Sequence, residues 1–213
     1  MEKEVNSQQH ALGLKTVEAL QRNRFSASYY QTAEAALTEL FNVIPPNATI
    51  GMGGSWTLVQ LEVLEKLEAR GNTVYCHNKP GLNPEEILDI RRKQLICDVF
   101  LTSTNAVTEE GKLVNTDATG NRVAAMIFGP KKVIVLAGVN KIVGTIKEAQ
   151  ERICSTAAPL NNKRLNRPNP CVKSGYCADC QGPTRLCNVT TVIHKRPPAS
   201  DIHVWIIGEG LGY

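Results

Sequence analysis

The chain has 213 residues, with 24 Lys+Arg against 20 Asp+Glu and a formal net charge of +4. Hydrophobic residues make up 42% and charged residues 21%, which excludes disorder and fibrous repeats and suits a core-forming globular chain. Aromatics at 5% without an interleaved basic stripe exclude a nucleic-acid surface, and no apolar run reaches the ~18 residues that cross a bilayer.

The start, Met1-Glu2-Lys3-Glu4-Val5-Asn6, is polar and mixed in sign, not a signal peptide, so a cytoplasmic chain is expected. Residues 7–22 are predicted to be helical from Ala11, Leu14, Val17 and Leu20. Tyr29/Tyr30, Ala33, Ala36/Leu37, Leu40/Phe41 and Ile44 predict a second helix over 28–43, stopped by Pro45-Pro46. Residues 48–52 form a short strand, Gly53-Gly54-Ser55 turns the chain, and Trp56 to Arg70 follows as one helix ended by Gly71. Thr73–Cys76 is a strand. Asn83-Pro84-Glu85-Glu86 starts a helix that runs to about Leu95, with Asn as cap and Pro in the first turn. Residues 98–103 form a strand, and residues 105–115 a hairpin around Glu109-Glu110-Gly111, whose two acids are solvated turn residues. A short helix covers 121–128. Lys132 to Gly138, with an unbroken Val-Ile-Val-Leu-Ala run, is a strand buried on both faces. Thr145-Ile146-Lys147-Glu148 opens a further helix. After Pro159 the apolar pattern is lost, and residues 203–207 are the final strand.

Such alternation predicts an α/β fold: a three-layer, open, mostly parallel sheet with helices on both sides. An N-terminal helical segment, residues 1–45, packs on an α/β domain, residues 46–213, whose irregular tail includes a cysteine-rich loop over 169–188.

Three constellations can carry chemistry. The first is Gly53-Gly54-Ser55, between a strand and a helix N-terminus. Exposed backbone N–H groups and the helix dipole suit an anion there, although no Lys follows as in a P-loop; a tight turn with Ser55 as helix cap is the plain alternative. The second is the polar run from Thr104 to Arg122, beside a strand end where open α/β sheets place ligands. In it Asn105, Asp117, Gly120, Asn121 and Arg122 are candidates: Asp117 as acid or base, Gly120 for close backbone approach, Arg122 as a bidentate clamp for a carboxylate or phosphate. The alternative is a capped helix with Arg122 in a structural ion pair. The third is Cys171, Cys177, Cys180 and Cys187, four of seven cysteines within seventeen residues. In a Pro/Gly-rich loop these can hold zinc or an iron–sulfur cluster; the alternative is free thiols or a reversible disulfide. Cys76, Cys97 and Cys154 are expected as buried thiols. His10, His77, His194 and His203 are expected at the surface or in hydrogen bonds, not as catalysts.

Gly51-Met52-Gly53-Gly54-Ser55, the block Asn105–Ala124, Gly129-Pro130-Lys131-Lys132-Val133-Ile134 and Gly138-Val139-Asn140-Lys141-Ile142-Val143 resemble the LUD domain family, which includes lactate-utilisation protein C. The resemblance covers about residues 8–213, and the cysteine tail is that of short stand-alone members. It implies a fold like the ribose-5-phosphate isomerase, glucosamine-phosphate deaminase and CoA-transferase group. It also implies a link to oxidation of lactate to pyruvate alongside iron–sulfur partner subunits. The resemblance transfers no site residues; from two polar loops at the ends of neighbouring strands, Lys141 is expected to join Gly53, Gly54, Ser55 and the 105–122 residues around a small anionic metabolite. Two other functions stay open: a non-catalytic module whose metal-braced cysteine loop docks an iron–sulfur oxidoreductase, and a sugar-phosphate isomerase or CoA-transferase-like enzyme.

Overall fold

The computed structural model describes residues 2–213, and side chains from residue 7 onward. The strands are β1 Ser26–Tyr30, β2 Thr49–Met52, β3 Thr73–Cys76, β4 Val99–Thr102, β5 Ala106–Thr108, β6 Leu113–Asp117, β7 Lys132–Gly138, β8 Ile142–Val143, β9 Val189–Ile193 and β10 Ile202–Ile207. The helices are α1 Glu2–Arg22, α2 Ala33–Val43, α3 Trp56–Gln60, α4 Val63–Ala69, α5 Pro84–Lys93, α6 Asn121–Ile127, α7 Ile146–Arg152, α8 Ala158–Arg164 and α9 Cys171–Ser174. No helix among the described residues is long and apolar enough to cross a membrane.

Six strands make one parallel sheet in the order β1-β10-β7-β4-β2-β3. Successive side chains of a strand point to opposite faces, and the apolar runs use both. Ile134, Leu136, Trp205 and Ile207 enter one core with Leu40, Leu58 and Leu67 from α2, α3 and α4. Val133, Val135, Val204 and Ile206 enter the other with Leu20 of α1 and Met126 of α6. Helices on both faces of a parallel sheet give the three-layer α/β architecture expected from the alternation. A smaller sheet, β8-β5-β6-β9, contains the hairpin, and Ala149 of α7 and Ile153 just beyond it cover it.

Three expectations are corrected. Residues 28–43 are not one helix: Ser26–Tyr30 is the edge strand β1, and the helix starts at Ala33 with Thr32 as its cap. The N-terminal segment is therefore part of the main sheet as well as helical. The helix over 56–70 breaks in two at Glu62, which sits at φ +52° without a side-chain cap. This left-handed conformation is costly for a residue with a Cβ, so Glu62→Gly is expected to raise stability by up to about 1 kcal/mol, read by denaturant unfolding. The tail also contributes a strand, β9, paired antiparallel with β6 from Val189↔Asp117 to Ile193↔Leu113.

Candidate functional site

A parallel sheet lets every strand release its chain on the same edge, so residues distant in sequence meet there. Gly54 and Ser55 follow β2, His77 and Asn78 follow β3, Ser103 to Asn105 follow β4, Lys141 follows β7 and Tyr213 lies beyond β10; all line one crevice of about 460 Å³. The glycine turn and Arg122 thus share a cleft. Five basic side chains line it, Arg91, Arg122, Lys141, Arg164 and Arg167, against one carboxylate, Asp117.

Lys141 is the most unusual of them. Its side chain is 3% exposed. Its Nζ donates to Thr57 Oγ1 and Ser103 Oγ, both at 2.9 Å, and no carboxylate neutralises it among the described residues. Burial, with the nearby charges of Arg152 and Arg122, lowers its pKa from 10.5 to about 7. Arg91, on α5, likewise makes no hydrogen bond or ion pair among the described residues, and its buried Nε has no partner.

His77 faces the crevice with its pKa pushed down to about 4 by burial and by Arg91, so it is neutral at pH 7. Gln94 Nε2 donates to Met52 O at 2.8 Å and Tyr75 O at 2.9 Å, and stands 3.0 Å from His77 Nδ1. The same Gln94 meets Asn121 through its Oε1 at 3.5 Å.

Of the sequence candidates, Gly54, Ser55, Asn105, Asp117, Asn121, Arg122 and Lys141 line the crevice, whereas Gly53 and Gly120 do not. Gly53 makes room instead: a Cβ there would lie 3.0 Å from Thr102 Oγ1 and 3.5 Å from Arg122 Cδ. Gly120 takes φ +85° at the start of α6, the left-handed region that glycine enters without strain. Ser55 caps α3, its Oγ accepting from Leu58 N at 3.4 Å. Because α3 has only five residues, the helix dipole offers less to an anion than an unbroken 56–70 helix would.

Arg122 spends its donors inside the protein. Its Nε donates to Asp117 Oδ1 at 3.1 Å, Nη1 to Asn115 Oδ1 at 2.6 Å and Ser103 O at 3.4 Å, and Nη2 to Thr116 O at 2.8 Å and Asn105 Oδ1 at 3.2 Å. Asp117 in turn accepts from the backbone N–H of Arg122 at 3.2 Å and Val123 at 3.4 Å. Both side chains therefore shape the crevice wall, and free cationic donors come from Lys141, Arg91 and the exposed Arg167. His77 and Arg91 were not singled out from the sequence. The signal for His77 was its place just beyond a strand end, equivalent to Gly54 after β2; for Arg91, within the basic run 91–93, local sequence carries none.

The four tail cysteines line a second, small cavity with Asn169 and Arg185. Cys171 is buried and the other three are half-buried. Burial raises the Cys187 thiol to about 11, with Cys177, Cys171 and Cys180 adding to the rise. Cys154, expected as a buried thiol, is only half-buried, and its carbonyl accepts from Cys177 N at 2.9 Å. As the side chains stand, no three His, Cys, Asp or Glu among the described residues are gathered closely enough to hold an ion.

The fold and the crevice define the class: a three-layer α/β domain with a polar crevice across the carboxyl ends of its parallel sheet. The LUD domain profile matches residues 14–207, and the chain belongs to the LUD domain family. Among solved structures it is similar to a DUF162 family protein from Deinococcus radiodurans, with a TM-score of 0.51 and 14% identity over 93% of this chain and 98% of that one. At that identity the likeness speaks for the fold alone. No curated protein matches the chain.

Proposed function

We propose that this LUD-domain protein holds a small organic anion in the crevice, as part of lactate or related organic-acid oxidation. The observation that carries this reading is Lys141: a buried ammonium with two hydroxyl partners and no carboxylate. A buried charge without a counter-ion is costly, and an anionic guest is the species that offsets that cost. Arg91, with its unpartnered Nε, supplies a planar guanidinium suited to a carboxylate or phosphate. Neutral His77, Asn78 and Ser55 line the same wall. The lactate link rests on family membership; in such an oxidation, electron carriage belongs to iron–sulfur partner subunits.

The test is calorimetry on the purified full-length chain with lactate, pyruvate, a sugar phosphate and coenzyme A. At least one of these is expected to bind, and Arg91→Gln to weaken it about tenfold, as loss of a charge-assisted hydrogen bond does. If none binds, or if Arg91→Gln and Lys141→Met both bind as tightly as the wild type, the reading is wrong.

A further inference from the structure

We propose that Cys171, Cys177, Cys180 and Cys187 form a tetrathiolate site for a single divalent ion of the zinc class, built into the wall of the crevice. Four cysteines, Cys171 at the start of α9 and three from the loop beyond it, line one cavity. Its volume is about 10 Å³, close to one water-sized sphere. Four thiol side chains around one small space suit one tetrahedral ion held by sulfur.

The scaffold around the cavity is in place. Arg185 donates from Nη1 to Cys180 O at 2.7 Å and from Nε to Cys187 O at 3.0 Å. Asn169 donates to Asn162 Oδ1 at 2.6 Å and to Thr184 O at 2.8 Å, and accepts from Thr184 Oγ1 at 2.7 Å. These bonds hold both arms of the loop, and Arg185 also pairs with Asp179 Oδ1 at 2.6 Å. What the loop lacks is apolar anchorage: no residue from 171 to 188 belongs to the three apolar cores. Metal ligation is the usual substitute for a core in such a segment. Closing the site needs rotation of half-buried side chains in a stretch without regular structure between Ser174 and Val189. Cys154, whose thiol meets that of Cys177, does not line the cavity and is left out of the ligand set.

The site borders the crevice directly, because Ala158, Asn162, Leu186 and Cys187 line both cavities. Binding an ion at one face therefore fixes side chains of the other. The proposal does not depend on what the crevice holds.

The experiment is metal analysis of the full chain, untagged, purified reduced in zinc-supplemented medium. About one equivalent of zinc per chain is expected. Cys180→Ser and Cys187→Ser are each expected to reduce it at least tenfold, while Cys154→Ser retains it. Stripped protein is expected to take up Co²⁺ with the charge-transfer and d–d bands of a tetrahedral all-thiolate site, and to become cleavable by trypsin at Arg185. The cobalt spectrum of the wild type decides the matter where a serine variant does not fold. A chain that takes up neither ion overturns the proposal. So does metal content unchanged in Cys180→Ser, metal lost equally in Cys154→Ser, or stoichiometric iron with inorganic sulfide.

Discussion

Arg122→Met is expected to destabilise the protein by about 3–5 kcal/mol, the range for removing one partner from a buried, hydrogen-bonded ion pair. The Arg122 side chain is 13% exposed and that of Asp117 14%, so water replaces little of what is lost. Five acceptors lose their donor together: the carboxylate of Asp117, the amide oxygens of Asn105 and Asn115, and the carbonyls of Ser103 and Thr116. Asn105 and Asn115 otherwise tie their loops crosswise, Asn105 N donating to Asn115 Oδ1 at 3.1 Å and Thr116 N to Asn105 Oδ1 at 2.9 Å. Arg122 is the clasp on that ladder, and it joins the end of β4 to the end of β6. Arg122→Lys is not a rescue, because one ammonium cannot reproduce a planar fork of five donors. Its loss is expected to be at least about 2 kcal/mol. For a chain of this size, 3 kcal/mol corresponds to a fall in Tm of about 6–12 °C. Denaturant unfolding of both variants is the check, and a loss below about 1 kcal/mol for Arg122→Met would contradict the clasp.

The sheet was legible where the pattern has only one physical solution. Val133 to Ala137 is apolar without interruption because β7 is buried on both faces. Asn83 and Glu86 make the full capping box that their spacing announces, Asn83 Oδ1 accepting from Glu86 N at 3.0 Å and Glu86 Oε2 from Asn83 N at 2.8 Å. β1 was misread because Tyr29 and Tyr30 fit a helical stripe with Ala33 and Leu37. As a strand, however, they serve opposite faces, Tyr30 packing on one core and Tyr29 on the other. The break at Glu62 has no sequence signal, since neither glycine nor proline marks it and the apolar spacing continues through it. β9 was hidden because its first two residues, Val189 and Thr190, are exposed on both faces and only Ile193 is buried. The crevice was half legible. Residues just beyond strand ends can be found by counting, but Arg91 reaches it from the side of a helix, and Gln94 orders His77 through contacts that only the folded chain creates.

Lys141 makes the stability of the protein rise with pH across a definite window. Its pKa is lowered from 10.5 to about 7 on folding, so between those values the unfolded chain binds the proton and the folded chain does not. Stability then increases with pH from about 7 towards 10.5, because the slope follows the excess of protons on the unfolded state. Below about pH 7 both states are charged and the whole cost of burying the ammonium is felt. Lys141→Met removes that cost, while Thr57 Oγ1 and Ser103 Oγ, 3.4 Å apart, remain to satisfy one another. The variant is accordingly expected to be more stable than the wild type by about 2–4 kcal/mol at pH 6, with the difference shrinking as pH rises through the window. Ligand binding is expected to move oppositely. An anion beside the ammonium restores the charged form, so complex formation above pH 7 takes up a proton and affinity falls by up to tenfold per pH unit. Calorimetry in buffers of different ionisation enthalpy measures that uptake, and the Met variant is expected to show none of it and to lose at least tenfold in affinity. A wild type and variant with parallel stability–pH profiles would show that Lys141 does not titrate in this window, and would overturn the predicted pH dependence of stability and binding.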